Sequence, residues 1–434
     1  MSRPLLGCIA DDFTGATDLA NNLVRSGMRT VQVIGVPTSP QAVDADAIVI
    51  ALKSRTIAAA QAVEQSLKAY DWLRAQGVEQ YYFKYCSTFD STSQGNIGPV
   101  TEALLDAIHG PGKGFTIVCP AFPENQRTVF KGHLFVGDML LSDSGMRNHP
   151  LTPMLDSNLV RVMQAQTKRK VALVDYATVA AGPQAIGQAF ARLQAQEVGV
   201  AVIDAISNAD LMGMGLALAD MPLVTAGSGV AIGLPQNWAA RGRLLTATLA
   251  SQLPTAQGRQ AIVSGSCSAA TNAQVKHWIE SGHPAFLIDP LALASGTDLV
   301  SQALQWAKEN QTQSPVLIYA TANSDTVKSI QKQLGVQRAG ELVEKALAAI
   351  ACGLVQQGVR QLIVAGGETS GAVVQALEIE RLVIGPQIDP GVPWTCAASR
   401  LIEGDALHIA LKSGNFGSND FFSKSWALLK KASA

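Results

Sequence analysis

The apolar positions of the chain fall into two alternating patterns. Short continuous runs at Leu5 to Ala10, Thr30 to Gly35, Ala47 to Leu52, Gln80 to Cys86, Phe115 to Cys119, Val171 to Asp175, Val198 to Asp204 and Pro222 to Ala226 predict buried strands. Between most of them the apolar spacing widens to three and four residues, as at Ala58 to Ala75, Ile97 to His109 and Ala185 to Gln196, which predicts helices. A helix is also expected from Thr14, with Ala16, Leu19, Ala20, Leu23 and Val24 on one face and Gly27 as its stop. Strand and helix in alternation predict a largely parallel sheet covered on both faces.

Residues 120–160 break this rhythm with Pro120, Pro123, Pro150 and Pro153, several glycines and many polar groups. A long irregular stretch of this kind is either a functional loop or lid, or a surface excursion. The pattern loosens again at Gly227 to Arg243, and Ala247 to Gln260 is polar and rich in small residues, so a domain boundary is expected there. A second alternation follows, with strands at Ala261 to Ser264, Ala285 to Ile288, Val316 to Ala320, Leu362 to Ala365 and Leu407 to Leu411. Its helices are expected at Ala269 to Ser281, Leu291 to Glu309, Ala339 to Gln357 and Ser370 to Glu378. The expected fold is therefore two α/β domains, residues 1–245 and 255–430, each with a largely parallel sheet flanked by helices.

Length and composition agree with a compact globular chain: 434 residues, 47% hydrophobic and 15% charged. A net charge of −1 removes the simplest argument for nucleic acid or an anionic membrane as partner, so any anion site must be local. The six cysteines form no C-x-x-C pair, which points to free thiols in a reducing compartment and to no metal centre of their own. No apolar stretch reaches the length of a membrane span, about 18 residues or more, and a cytoplasmic location is expected.

Chemistry concentrates where strands end. The first strand stops in Asp11 and Asp12, followed by Thr14 and Gly15 at a helix start. In open α/β sheets ligands bind in that crevice, and two carboxylates there could bind hydroxyls, hold magnesium through water, or take a proton from an alcohol. The competing reading is a turn with a helix cap. Arg55, after the third strand, offers a planar fork to a carboxylate or phosphate, or a surface ion pair. The segment Lys84 to Asn96 is dense in hydroxyls, and a lysine near the end of an apolar strand is costly unless paired or facing a ligand. Ser87, Thr88 and Asp90 are its candidate substrate contacts. In the second half, Ser264 to Ser268, Gly366 to Gly371 and Ser413 to Gly417 are small-residue loops after strands, suited to bring backbone N–H groups to phosphate oxygens. Neither a G-x-x-x-x-G-K-[ST] loop nor a G-x-G-x-x-G after the first strand occurs.

Four of these stretches, Ala10 to Ala16, Lys84 to Thr88, Gly366 to Gly371 and Lys412 to Gly417, together resemble the four-carbon acid sugar kinase family over about residues 5–425. Cys86 to Thr92, Cys119 to Asn125 and Gly132 to Gly137 are most similar to its 3-oxo-tetronate 4-kinase branch. The threonate and erythronate kinase branch has Lys-x-Asp-Ser-Thr-Leu-Arg-Gly-Asn, whereas here Asp90-Ser91-Thr92 is displaced from Lys84 and Gln94 stands for the arginine. The resemblance implies a sugar-acid domain followed by an ATP domain, with phosphoryl transfer from Mg2+-bound ATP to the C4 hydroxyl of a 3-oxo-tetronate in sugar-acid catabolism. Asp12 would then be the base and Asp11 its orienter or an indirect magnesium ligand. Arg55 and Lys84 would face the substrate carboxylate or the developing phosphoryl charge. Ser264, Gly366, Gly367, Glu368, Thr369 and Gly414 would line the nucleotide site. The alternatives are a D-threonate or D-erythronate 4-kinase and a non-catalytic sugar-acid-binding protein.

Overall fold

The computed structural model describes residues 3–37, 43–149, 151–244, 250–310, 314–399, 401–402 and 406–432. Pro150 and residues 245–249, which hold the expected end of the first domain and Ala247, lie outside them. By internal contacts the chain divides after Ala250 into two units.

Unit 1 contains β1 (Leu6–Ala10), β2 (Thr30–Ile34), β3 (Ala47–Ala51), β4 (Gln80–Lys84) and β5 (Thr116–Cys119). It continues with β6 (Arg127–Phe130), β7 (His133–Val136), β8 (Met139–Leu140), β9 (Lys170–Val174), β10 (Val198–Ile203) and β11 (Leu223–Ala226). Eight of these form a run in the order β2-β3-β1-β4-β11-β5-β10-β9, with every neighbouring pair parallel. Strands β1, β3, β4, β10 and β11 are buried along their whole length, as unalternating apolar runs require. The order places β1 between β3 and β4 although they are far apart in sequence. Ala10 is in register with Ala51 on one side and Lys84 on the other, so the segments after these three strands start side by side. The chain reverses its direction of travel across the sheet at this point, which opens a crevice above the carboxyl ends.

Helix α1 (Phe13–Arg25) follows β1 and is buried on every side from Phe13 to Val24, ending just before Gly27, whose φ of 91° suits glycine. Helices α2 (Ala59–Gln76) and α3 (Ile97–His109) match the spacing closely. The expected irregular stretch 120–160 is more ordered than its prolines suggest. Strands β6, β7 and β8 form an antiparallel meander, followed by two short 3-10 turns. The meander is tied to the end of β10, where Asp204 accepts the backbone N–H groups of Lys131, Gly132 and Tyr176.

Unit 2 contains β12 (Arg259–Ser264), β13 (Ala285–Leu287), β14 (Val316–Tyr319), β15 (Val359–Ala365), β16 (Ile379–Asp389), β17 (Val392–Ser399) and β18 (Leu407–Lys412), in the order β13-β14-β12-β15-β18-β17-β16. From β13 to β18 the pairs are parallel, but β17 runs antiparallel to both β18 and β16. The second sheet is thus largely parallel, as expected, with an antiparallel edge at β16 and β17 that the expected strands do not include. The cue was present: Pro390-Gly391 between two apolar runs is a hairpin turn signal, and Gly391 takes φ 80° there. The expected helix Leu291 to Glu309 is two, Pro290–Ala294 and Leu299–Asn310, because Gly296 adopts φ 89° between them. Trp278, Trp394, Trp426, Phe421 and Phe422 anchor the core on one face.

Candidate functional site

Asp12 does two things at once. Its extended backbone caps α1, Oδ1 accepting the N–H of Gly15 at 2.9 Å while Oδ2 accepts the Thr14 hydroxyl at 2.9 Å. The capping reading therefore holds for this residue, and it does not exhaust it. Arg55, from the segment after β3, donates through Nε and Nη2 to both oxygens of Asp11 at 2.8 Å, and Nη2 also reaches Asp12 Oδ1 at 2.8 Å. Its Nη1 lies 3.5 Å from Asp90 Oδ2. The guanidinium is thus engaged by three protein carboxylates and is not a surface ion pair.

These contacts divide the two adjacent acids. Burial pushes the Asp11 carboxyl up, and Arg55 only partly offsets it. Burial acts on Asp12 in the same direction, but Arg55, Lys84, Thr14 and Gly15 together hold it below the usual carboxylate range. Asp12 is also the more open of the pair, with side-chain exposure of 21% against 7%. Asp12 is the more reachable carboxylate; Asp11 takes two of the Arg55 hydrogen bonds and Asp12 one.

Lys84 ends β4 buried, and its Nζ donates no hydrogen bond to a described residue. It lies against the start of α1: a Cβ added to Gly15 would stand 2.4 Å from Lys84 Nζ and 2.2 Å from Asp12 Oδ1. The loop after it carries strain, since Phe89 and Asp90 have φ of 65° and 46°, a region most side chains avoid. Thr88 donates to Asp90 Oδ1 at 2.8 Å and touches Cys86 Sγ, while Ser87 is buried beside it. Burial pushes the Cys86 thiol up to about 12, so it is no nucleophile at neutral pH. Asn96, at the start of α3, clamps the Arg55 segment by donating to the carbonyls of Ser54, Arg55 and Ile57. Asp11, Arg55, Asp90 and Asn96 line a cavity of about 10 Å³, room for a single water.

Two neighbours of this cluster escape sequence reading. Asp18 is buried on α1, six residues beyond the cap, and accepts the hydroxyl of Ser228 through Oδ2 while its Oδ1 has no partner among the described residues. Burial raises it to about 6, against the pull of Lys84. Arg127, from β6, bonds the carbonyl of Asn125, and burial lowers its guanidinium's pKa against the pull of Cys86, Asp18 and Asp90.

In unit 2 the register places Ser264, Ala365 and Lys412 abreast at the ends of β12, β15 and β18, so the three small-residue loops open side by side. Gly366, with φ 131°, precedes the helix Gly367–Ala376 and offers it no side-chain cap, and such a helix start favours an anion. A Cβ on Gly366 would come within 2.9 Å of Thr369 Oγ1, and one on Gly414 within 2.5 Å of Ser266 Oγ. Thr369 is buried, Gly367 and Glu368 are exposed, and Ser264 Oγ lies 2.7 Å from Thr321 Oγ1. Lys412 is buried and gathers the last loop, donating to the carbonyls of Ser413, Gly414 and Phe416 and to Thr271. Burial lowers it to about 7. Among the described residues no group of three or more His, Cys, Asp or Glu is placed to hold a metal, and no helix is long and apolar enough to cross a membrane.

Comparison with known proteins gives these two edges a context. Residues 6–234 match a family described as a sugar-binding N-terminal domain, and residues 261–422 one described as a nucleotide-binding C-terminal domain. A 3-oxo-tetronate kinase of Burkholderia multivorans is 60% identical over 99% of both chains. A 3-oxo-tetronate kinase of Pseudomonas fluorescens is 59% identical over 97% of this chain and 96% of its own. The crystal structure of a Haemophilus influenzae protein superposes with a TM-score of 0.75 at 46% identity, covering 98% of this chain and 100% of that one.

Proposed function

The chain belongs to the 3-oxo-tetronate kinase family, and from that premise we propose that it transfers the γ-phosphoryl group of ATP to the C4 hydroxyl of a 3-oxo-tetronate, giving the 4-phosphate and ADP. The observation that carries this reading is the presence in one chain of two unlike strand-end sites: a buried cluster of acids and cations in unit 1, and in unit 2 an uncapped glycine helix start framed by three loops.

Phosphoryl transfer asks for positioning and charge neutralisation more than for covalent chemistry. Asp12, ionised and reachable, is the group suited to take the C4 hydroxyl proton as the phosphoryl group arrives. Asp11 acts through Arg55, fixing the guanidinium that in turn orients Asp12. Lys84 faces the anionic substrate, and Ser87, Thr88 and Asp90 meet its hydroxyls. Arg55, expected to face the substrate's negative charge, also organises the acids.

The nucleotide phosphates fit the start of the helix at Gly367, beside Glu368, with Gly366 and Gly414 keeping the approach free of side chains and Ser264 and Thr369 adding hydroxyls. A magnesium ion would be carried mainly by the nucleotide's own oxygens and its waters, and would neutralise charge on the transferring group. The regiochemistry is tested by phosphorus–proton coupling in the purified product. Coupling to the two protons of the terminal methylene is expected. Coupling to a single methine proton would place the phosphate on C2 and overturn the assignment.

A further inference from the structure

In the unit 1 cluster Arg55, Asp11, Asp12, Asp18 and Asp90 all have hydrogen-bond partners, whereas the Lys84 ammonium has none among the described residues. Yet Lys84 is only 2% exposed. A cation taken out of water without a partner is costly, so this position calls for an oxygen that arrives from outside.

Gly15 marks where that oxygen sits. A Cβ on it would stand 2.4 Å from Lys84 Nζ and 2.2 Å from Asp12 Oδ1, so these two atoms flank the bare backbone of the first turn of α1. They form no direct ion pair, and one oxygen would bridge the gap with ordinary hydrogen bonds of about 2.8 Å to each side. Local structure fixes both walls. Lys84 is the last residue of β4, in register with Ala10, so it ends beside the segment that opens with Asp11 and Asp12. Asp12 is held by the Gly15 N–H and the Thr14 hydroxyl. Any side chain at position 15 would close the gap between them.

A four-carbon sugar acid carries its carboxylate and its C4 hydroxyl at opposite ends, so a cation that adjoins the base meets the hydroxyl end. We propose that Lys84 is a catalytic residue that donates to the C4 oxygen in the gap over Gly15 and to the phosphoryl group arriving there, leaving the substrate's carboxylate to other groups. The assignment rests on the kinase reading and on Asp12 as the base. Asp12 takes the hydroxyl proton, the freed electron pair of the C4 oxygen bonds to the γ-phosphorus, and the bond from that phosphorus to the β–γ bridging oxygen breaks, its electron pair leaving on ADP. Lys84 keeps its protons throughout. As a compact point charge with three donors it serves the C4 oxygen and a γ-phosphoryl oxygen together, where negative charge builds up.

The test uses Lys84→Met, which keeps the stem and removes the charge, and Gly15→Ala, which keeps both charged groups and fills the gap. Each is measured for kcat with a 3-oxo-tetronate. Affinity is measured by calorimetry without ATP, toward that acid and toward its 4-deoxy analogue, which has the carboxylate but no C4 hydroxyl. Lys84→Met is expected to lower kcat about 10²- to 10³-fold, as loss of one transition-state donor does. Its affinity for the acid should fall roughly 10-fold while that for the analogue stays as in the unaltered protein, which also shows that unit 1 is folded. Gly15→Ala is expected to lower kcat about 10²-fold, again with the analogue bound normally. Equal loss of affinity for both compounds in a Lys84→Met variant with unaltered circular dichroism would put the lysine at the carboxylate and overturn the assignment, as would an unchanged kcat. If Lys84→Met does not fold, Gly15→Ala decides alone by the same comparison. If the unaltered protein phosphorylates no 3-oxo-tetronate, the kinase reading fails instead.

Discussion

Adjacent carboxylates with the same covalent structure come to differ here through their neighbours. Asp11 is locked by two hydrogen bonds from Arg55 and pushed up by burial, whereas Asp12 is held down and left more open. Removing the Asp12 charge should lower kcat by about 10²- to 10⁴-fold, the range for a positioned base, while the sugar acid still raises the melting temperature. Near-normal turnover of Asp12→Asn would dismiss the base assignment. Asp18 makes a second prediction, about stability. Its carboxyl titrates near 4 in an unfolded chain and at about 6 in the fold. The folded state binds that proton more tightly, so this group's contribution to stability falls as pH rises from about 4 through about 6 and stays lower above. Asp18→Asn is expected to stabilise the protein by roughly 1–3 kcal/mol at pH 8 and by almost nothing near pH 3. Denaturant unfolding at the two pH values checks it; a variant less stable at pH 8 would contradict the sign.

At the scale of elements, what sequence reveals is set by how local the cause is. The β1 strand, the start of α1 and the buried lysine of β4 follow from nearest-neighbour patterns and were legible. The engagement of Arg55 was not, because its partners lie 43 and 44 residues away and meet only through the order β3-β1-β4. The bond between Asp18 and Ser228, 210 residues apart, is further still from any local signal. The meander at β6 to β8 hid behind prolines and glycines that break helices but permit hairpins. In unit 2 the glycines were legible as loops, yet the buried Lys412 that gathers the last of them was seen only as part of a motif. Lys412→Met should therefore loosen residues 413–416 and abolish most ATP-dependent thermal stabilisation, sparing that by the sugar acid. Unchanged stabilisation by ATP would show that the loop stands without the lysine.

For the whole molecule, the near-neutral composition conceals a strong division of labour. A net charge of −1 coexists with Arg55, after β3, and Lys84, at the end of β4, on one sheet edge, so the attraction for an anion is local to unit 1. Unit 2 offers backbone N–H groups and hydroxyls instead, the chemistry suited to phosphate. Variants should separate accordingly: Gly366→Val, which places a branched side chain against Thr369 and Ser266, is expected to raise the ATP requirement and leave sugar-acid binding intact. The opposite pattern would reverse the assignment of the two units. The most direct test of the kinase reading is ADP release from Mg-ATP, measured against 3-oxo-tetronates, threonates and erythronates side by side. Turnover confined to the 3-oxo acids is the predicted result; turnover with threonate or erythronate and none with the 3-oxo acids would contradict it.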